Sequence, residues 1–328
     1  MGCGGLDNTC LSTNVDSHFE LSFEVREKIA LVDGLGWQGL VAVNRYTGPT
    51  EIRNGTLALN STFGGRLQGA TVVILGSGAN SGILQMGGSN GAQPGTTVGG
   101  LTTSGTGTGN AVVGGATVLS SFGVNSTNDW TYAGAFGGPG ANQNNLNVTK
   151  SGSGKLTLLS PSTHVGTTTV SGGSLLVNNT TGSGTGSGTV AVNSGGTLGG
   201  TGIIGGAVTV NSGGTLAPGN SIGTLTLGVP PTLNGTVVME IDTTQSPSND
   251  VINVTSGTLT AGGRLVVTNL PGSTLALGNS FKLFSAPVSG SFSSILYPNP
   301  PNGTTWTNRL AQNGTIALVL APATISYT

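Results

Sequence analysis

One short phrase recurs along this chain: an aliphatic residue, a polar turn containing glycine, then Thr-Leu or Ser-Leu. It stands as Val192-Asn193-Ser194-Gly195-Gly196-Thr197-Leu198 and as Val210-Asn211-Ser212-Gly213-Gly214-Thr215-Leu216, with looser copies at Ile52–Leu57, Val170–Leu175 and Val254–Leu259. Leu175 and Leu198 are 23 residues apart, Leu198 and Leu216 only 18. The low-complexity tract Gly182–Gly188 absorbs the difference as a loop. A period near 20 residues, with strand–turn–strand content and no helical pattern, predicts a β-solenoid. Each coil supplies short strands that pair with the coils above and below at about 4.8 Å. Val, Leu, Ile and Ala fill the interior, and the paired glycines make turns that a side chain would forbid. Asn193 and Asn211 are equivalent and are expected to stack as an amide ladder. Roughly ten coils over about residues 30 to 230 give a rod about 50 Å long.

Composition agrees with this reading. Of 328 residues, 60 are Gly and only 6% are charged, against about 25% in an ordinary domain. Ten Lys/Arg against eleven Asp/Glu leave a net charge of −1, so the basic footprint of a nucleic-acid binder is missing. No apolar run reaches the roughly 18 residues of a transmembrane helix. Gly, Thr, Ser, Asn and Val are poor helix formers. Regular Val/Leu alternation and a mean hydropathy of +0.16 argue against disorder. In stacked coils like charges would face each other at the strand spacing and repel, so a solenoid favours a sequence with few of them.

The sequence divides into three parts. Residues 1–28 hold a Gly-rich tip and a strand with period-two alternation, Phe19-Glu20-Leu21-Ser22-Phe23-Glu24-Val25. Residues 29–229 hold the solenoid repeats with an irregular insertion at about 61–149, where Asp129-Trp130-Thr131-Tyr132 and Asn142-Gln143-Asn144-Asn145 are expected to leave the rod. Pro230-Pro231 opens residues 230–328, terminal coils and a β-rich capping module into which Phe281, Phe284, Phe292 and Trp306 bring larger side chains. Atypical ends stop solenoids from pairing edge to edge.

Several of these motifs resemble the autotransporter-associated β-strand repeat, also called the passenger-associated transport repeat. Lys150-Ser151-Gly152-Ser153-Gly154-Lys155-Leu156-Thr157-Leu158 is similar to its opening strand, and Thr168-Thr169-Val170 with Gly173-Ser174-Leu175 to its close. Asn44-Arg45-Tyr46-Thr47-Gly48 is similar to its turn, from which Ser162-Thr163-His164-Val165-Gly166 departs. Val208–Asn220, containing Ala217-Pro218-Gly219-Asn220, resembles the segment that follows such repeats, and Gly278–Phe284 resembles the end module of large secreted bacterial proteins that carry them. The resemblance implies an all-β, right-handed parallel β-helix, extracellular or at a bacterial cell surface, and implies no enzymatic activity. The long alternating strands and aromatic girdle of a translocating membrane barrel are not found in this sequence.

Residues that carry chemistry are few. Glu240 and Asp242, two apart on one strand face with Asp250 nearby, are the acidic group outside the N-terminal strand; a solvated face is the reading preferred over a catalytic pair. His18 and His164 have no triad context and read as surface residues. No spacing of ligands suggests a metal or cofactor site. Cys3 and Cys10 leave two options open, a small disulfide loop or two free thiols. Asn-x-Ser/Thr occurs at Asn54, Asn60, Asn125, Asn147, Asn178, Asn179, Asn234, Asn253, Asn302 and Asn313, through composition or as glycosylation acceptors. Met1-Gly2-Cys3 lacks the Ser/Thr of a myristoylation signal, and no signal peptide is recognisable.

These features lead to an expectation: a non-enzymatic structural or adhesive extracellular protein, self-associating or binding surface and matrix glycans. A sharper form makes it the subunit of a homopolymeric fibre built by strand addition, the Phe19–Val25 strand adding to a neighbour's sheet edge and Ile316–Leu320 offering a second such strand. The alternative is a carbohydrate-binding or carbohydrate-active β-helix, a polysaccharide lyase or hydrolase, with Trp37, Trp130 or Tyr132 stacking on sugars.

Overall fold

The structure, a computed structural model, describes residues 10–12, 19–21, 30–40, 48–59, 67, 69–88 and 95–323, the first three stretches by backbone alone. A nine-stranded parallel sheet begins at Thr96–Val98 and passes through Ser120–Asn125, Leu146–Ser151, Thr168–Val170, Val190–Val192, Val208–Val210, Thr232–Leu233 and Leu259–Ala261 to Val288–Gly290. An eight-stranded parallel sheet runs beside it from Trp130–Tyr132 to Ser294–Leu296. Strands alternate between the two sheets along the chain, so each coil contributes to both. This is a parallel β-solenoid. Its third wall is the short sheet Ile203–Ile204, Thr224–Leu227, Val251–Val254.

The first coils are wider. Cys10–Ser12 and Phe19–Leu21 both pair with Ala30–Leu40, which pairs with Thr50–Leu59. That strand then divides its partners between two strands of the next coil: Thr50–Ile52 faces Val73–Leu75, and Gly55–Leu59 faces Gly82–Met86. The break falls at Gly55, whose φ of 84° turns the strand where a side chain would resist.

The repeat phrase explains the stack residue by residue. Leu156, Leu175, Leu198, Leu216, Val237 and Leu265 lie in one register column, all buried. Val124, Lys150, Val170, Val192, Val210 and Leu233 form the matching column of the nine-stranded sheet. Each such Val or Leu contributes about 1.5–3 kcal/mol by leaving water, and each coil buries its apolar face only against its neighbours. The 23- and 18-residue spacings of the leucines converge on one register because the Gly182–Gly188 tract lies outside the strands. The amide ladder forms as expected: Asn211 Nδ2 donates to Asn193 Oδ1 at 2.8 Å.

Within the paired glycines the two members differ in role. Gly195 and Gly213 take φ of 82° and 80°, a region costly for side chains. Gly196 and Gly214 are held by stacking, since a Cβ on either would run into the carbonyl of Val170 or Val192 in the coil before.

Three sequence expectations change here. The stretch from 95 to 149 is no excursion: Trp130–Tyr132 opens the eight-stranded sheet, and Tyr132 lies in the core with its hydroxyl donating to Ala135 O at 2.9 Å. Only the Asn142–Asn145 turn projects, and even there Ser120 N donates to Asn145 O. The tight backbone positions of this stretch hid its periodicity, because its loops are longer than those after residue 150. Coils also continue past Pro230-Pro231, with Thr232–Leu233 in register on Thr209–Val210. Finally, Ile316–Leu320 is not a free strand. Thr315–Leu320 is the middle strand of an antiparallel sheet between Ser280–Lys282 and Thr304–Arg309.

That sheet, with the one-turn helix Leu310–Asn313, closes the C-terminal end. Phe284 stacks on Phe292 with centroids 6.0 Å apart, and Tyr297 on Trp306 at 5.5 Å. Large aromatics gather here because an end has no further coil on which to stack. Gly196→Ala should lower unfolding stability by about 1–3 kcal/mol through overpacking, while Gly88→Ala, which meets nothing within 4 Å, should leave it unchanged; urea denaturation of the two variants checks the contrast.

Candidate functional site

The strand Thr236–Ile241 buries Val237, Met239 and Ile241 and turns Thr236, Val238 and Glu240 outward. Asp242 does not continue that face. The chain bends there, and the Asp242 carboxylate accepts from Thr244 N at 2.9 Å, Thr244 Oγ1 at 2.6 Å and Gln245 Nε2 at 2.7 Å. These hydrogen bonds, the Thr244 hydroxyl foremost, hold it below the usual carboxylate range. Asp242 is therefore a turn-forming residue, and the sequence pairing of Glu240 with Asp242 is corrected.

The partner that the fold brings to Glu240 is Asp250. Residues 240–250 form a small antiparallel excursion, with Asp242 N donating to Ser248 O and Asp250 N to Glu240 O at 2.9 Å. Asp250 is 1% exposed. Its Oδ1 accepts from Gly223 N at 2.8 Å and its Oδ2 from Glu240 N at 2.7 Å. Burial pushes its pKa up to about 7; the two N–H donors oppose the shift and the Glu240 charge adds to it. Gly219, at φ 85°, carries the preceding turn so close that a Cβ would stand 2.9 Å from Asp250 Oδ1. Neither of the ion pairs Arg53–Glu51 and Lys155–Asp129 reaches this carboxyl.

Glu240 and Asp250 line one end of a groove of about 310 Å³ on the outer face of the eight-stranded sheet. Its floor is apolar: Leu176, Ala217 and Val238 lie in one register column, with Gly199 between the first two. Ser174 and Thr197 edge one side, Asn220 and Ser221 the turn above. Lys155 lies at the far end, four strand steps or about 19 Å away, bound to Asp129 at 3.1 Å. Lys155 N also donates to Asp129, which with that ion pair holds the Asp129 carboxyl below its ordinary range. The Glu240 carboxylate has no hydrogen bond or ion pair among the described residues. A second trough of about 450 Å³, floored by Ile83, Ala111 and Ala135, is lined by no ionisable side chain.

Other residues singled out in the sequence fall elsewhere. His164 is not a surface residue: it is fully buried, Nε2 lies 2.9 Å from Thr168 Oγ1, and its ring meets Phe136 edge-on at 5.9 Å. Burial lowers its pKa to about 4 against a hydrogen bond with the Phe136 backbone. Its strand-flanking place in a coil decides this, and no local pattern announced it. Tyr132 is a core residue and offers no sugar platform. Trp130 is half-buried, its Nε1 donating to Ser126 Oγ at 2.9 Å. The Trp37 side chain, His18, Cys3, Asn60 and the Cys10 side chain lie outside the described residues. Of the glycosylation candidates, Asn125, Asn234, Asn302 and Asn313 are exposed, and Asn54, Asn147, Asn178 and Asn253 half-exposed. Asn179 is removed from the set: it is 2% exposed and its amide bonds Thr181 O, Gly182 O and Ile203 N.

The lysine of the Lys-x-Gly-x-Gly motif has its own explanation. Lys150 stands inward in the valine column, 1% exposed. Its Nζ bends to the turn and donates to the carbonyls of Ser151 at 2.7 Å, Gly152 at 3.1 Å and Gly172 at 3.2 Å. Burial lowers its pKa, against the attraction of Asp129. The lysine thus ties the turns of two successive coils, which is the geometry a transmissible repeat motif requires. The profile of the passenger-associated-transport-repeat family matches residues 40–59 and 148–177. The chain carries this repeat. Its second copy spans Lys150, the strand Lys155–Leu158 and the strand Gly173–Val177 stacked on it. Passenger-associated transport repeats belong to autotransporter passenger domains, and repeat and fold together fit a passenger-like surface or secreted protein. No curated protein matches the chain. No helix among the described residues is long and apolar enough to cross a membrane.

His164 and Asp250 make opposite demands on pH. The lowered pKa of His164 makes protons favour the unfolded chain, so its contribution is complete above about 6.5 and falls by about 3 kcal/mol as pH drops toward 4. The raised pKa of Asp250 does the reverse: its contribution is complete near pH 4 and is lost as pH rises through about 7. Urea denaturation between pH 4 and 8 should show stability falling toward acid in Asp250→Asn and rising toward acid in His164→Gln.

Proposed function

We propose that the chain is a structural, non-enzymatic β-solenoid displayed outside a bacterial cell, a rod that carries or spaces binding surfaces. The observation that carries this reading is the in-register stack bearing two passenger-associated transport repeats. A stack of nine strands spans about 38 Å between its terminal strands, with core residues in every coil and few groups suited to acid–base chemistry. Low charge also suits such a rod, since hydration falls to Thr, Ser and Asn side chains.

Assembly into a homopolymeric fibre is the finer form of this proposal. Its support lies at one end only. The Cys10–Ser12 and Phe19–Leu21 strands both pair with Ala30–Leu40, and their other edges have no strand partner among the described residues. Such an edge is a template for strand addition. The C-terminal end is closed by the antiparallel sheet, so growth there uses a different contact.

A second reading, glycan binding, is favoured by the groove at Glu240, whose apolar floor and polar rim have the make-up of a small-ligand site. Immunogold labelling of intact cells, with negative-stain microscopy of the purified chain, tests the main proposal. Surface label is expected, with rods from the full chain that no longer join end to end once residues 1–28 are deleted. Label confined to the cytoplasm would contradict extracellular display, and unchanged filaments after the deletion would contradict strand addition.

A further inference from the structure

The groove under Glu240 combines features that serve no evident purpose in the stack. Glu240 turns a carboxylate into it that nothing in the described chain neutralises. Asp250, buried at the same end, has backbone N–H partners but no cation. A buried carboxyl beside an unpaired one is costly unless a positive group arrives. Lys155 cannot fill that role, being about 19 Å off along the sheet, beyond a Debye length of about 8–10 Å, and bound to Asp129.

The geometry points to a subsite for a cationic amino sugar within an extended glycan, the Glu240 carboxylate receiving the sugar ammonium. This deepens the glycan-binding reading and is independent of the structural role of the rod. Three observations select that ligand class. The strands under the groove pair on both edges with neighbouring coils, so an extended peptide finds no free backbone edge to augment. A sugar instead uses side-chain groups, and Ser174, Thr197, Asn220 and Ser221 edge the groove. A divalent metal lacks ligands, for no group of three His, Cys, Asp or Glu suited to a metal exists among the described residues. The apolar floor of Leu176, Ala217 and Val238 accepts the C–H face of a ring, and about 310 Å³ lies at the small end of ligand sites. The groove therefore seats about one ring, with its neighbours along the open rim.

Isothermal calorimetry on the full chain at pH 6 tests the assignment, with glucosamine oligomers, N-acetylglucosamine oligomers of equal length, and a lysine-containing peptide. Glucosamine oligomers should bind. N-acetylation of the ligand, or Glu240→Gln in the protein, should each weaken binding at least about tenfold, the scale of a charge-assisted hydrogen bond. Glu240→Gln should unfold at the same temperature as the unchanged chain, because its carboxylate has no partner to lose. Thr260→Ala, on the other sheet, should bind as the unchanged chain does. Absence of glucosamine-oligomer binding, equal binding of the acetylated oligomer, indifference to Glu240→Gln, or preference for the peptide would each overturn the proposal. None of those outcomes bears on surface display, which the labelling experiment reads separately.

Discussion

Everything in this molecule depends on parallel, in-register hydrogen bonding of each coil to the next. A backbone stacked at the strand spacing satisfies its own N–H and C=O groups only where the neighbouring coil places a strand in register. That condition fixes which residues are tolerated. Inward positions form columns of one residue type, as at Leu175, Leu198 and Leu216. Turn positions must be small wherever coils touch, as Gly196 against Val170 O shows. Outward positions must not repeat a charge, and the column Thr209, Thr232, Thr260, Ser289 is built from hydroxyls.

The few polar groups taken inside are used to hold coils together. Lys150 replaces a valine in its column and spends its ammonium group on three carbonyls of two turns. Asn147 Oδ1 accepts from Thr167 N, Asn178 Oδ1 from Thr201 N and Asn179 Oδ1 from Ile203 N, each crossing to the next coil. Asp250 does the same for Gly223 and Glu240, at the cost of a buried carboxyl. Net contributions of about 1 kcal/mol apiece matter here because every coil rests on its neighbours alone.

The parts legible in the sequence were those where one coil copies another. The Asn193/Asn211 ladder, the leucine columns and the loop of Gly182–Gly188 follow directly from alignment of the repeat with itself. The cap was legible too, since a run of aromatics after 280 contrasts with the coils before it. What stayed hidden came from contacts between unlike segments. His164 and Tyr132 are interior because of where their coils turn, and the coils between 95 and 149 vary in loop length enough to blur the period. The Glu240–Asp250 pairing arises from a ten-residue excursion that returns antiparallel to its own strand. Strand alternation pointed instead to Asp242, which the bend removes from the face.

The stack itself is most directly tested by pulsed dipolar spectroscopy on spin labels placed along one outward column. Labels at Thr149 and Thr209, Thr149 and Ser289, and Thr97 and Ser289 stand three, six and eight strand steps apart in the register. Separations of about 14, 29 and 38 Å, rising by about 4.8 Å per coil whatever the sequence length between the labels, are the expected result. Separations that follow sequence distance, or fail to rise from pair to pair, would contradict the in-register solenoid.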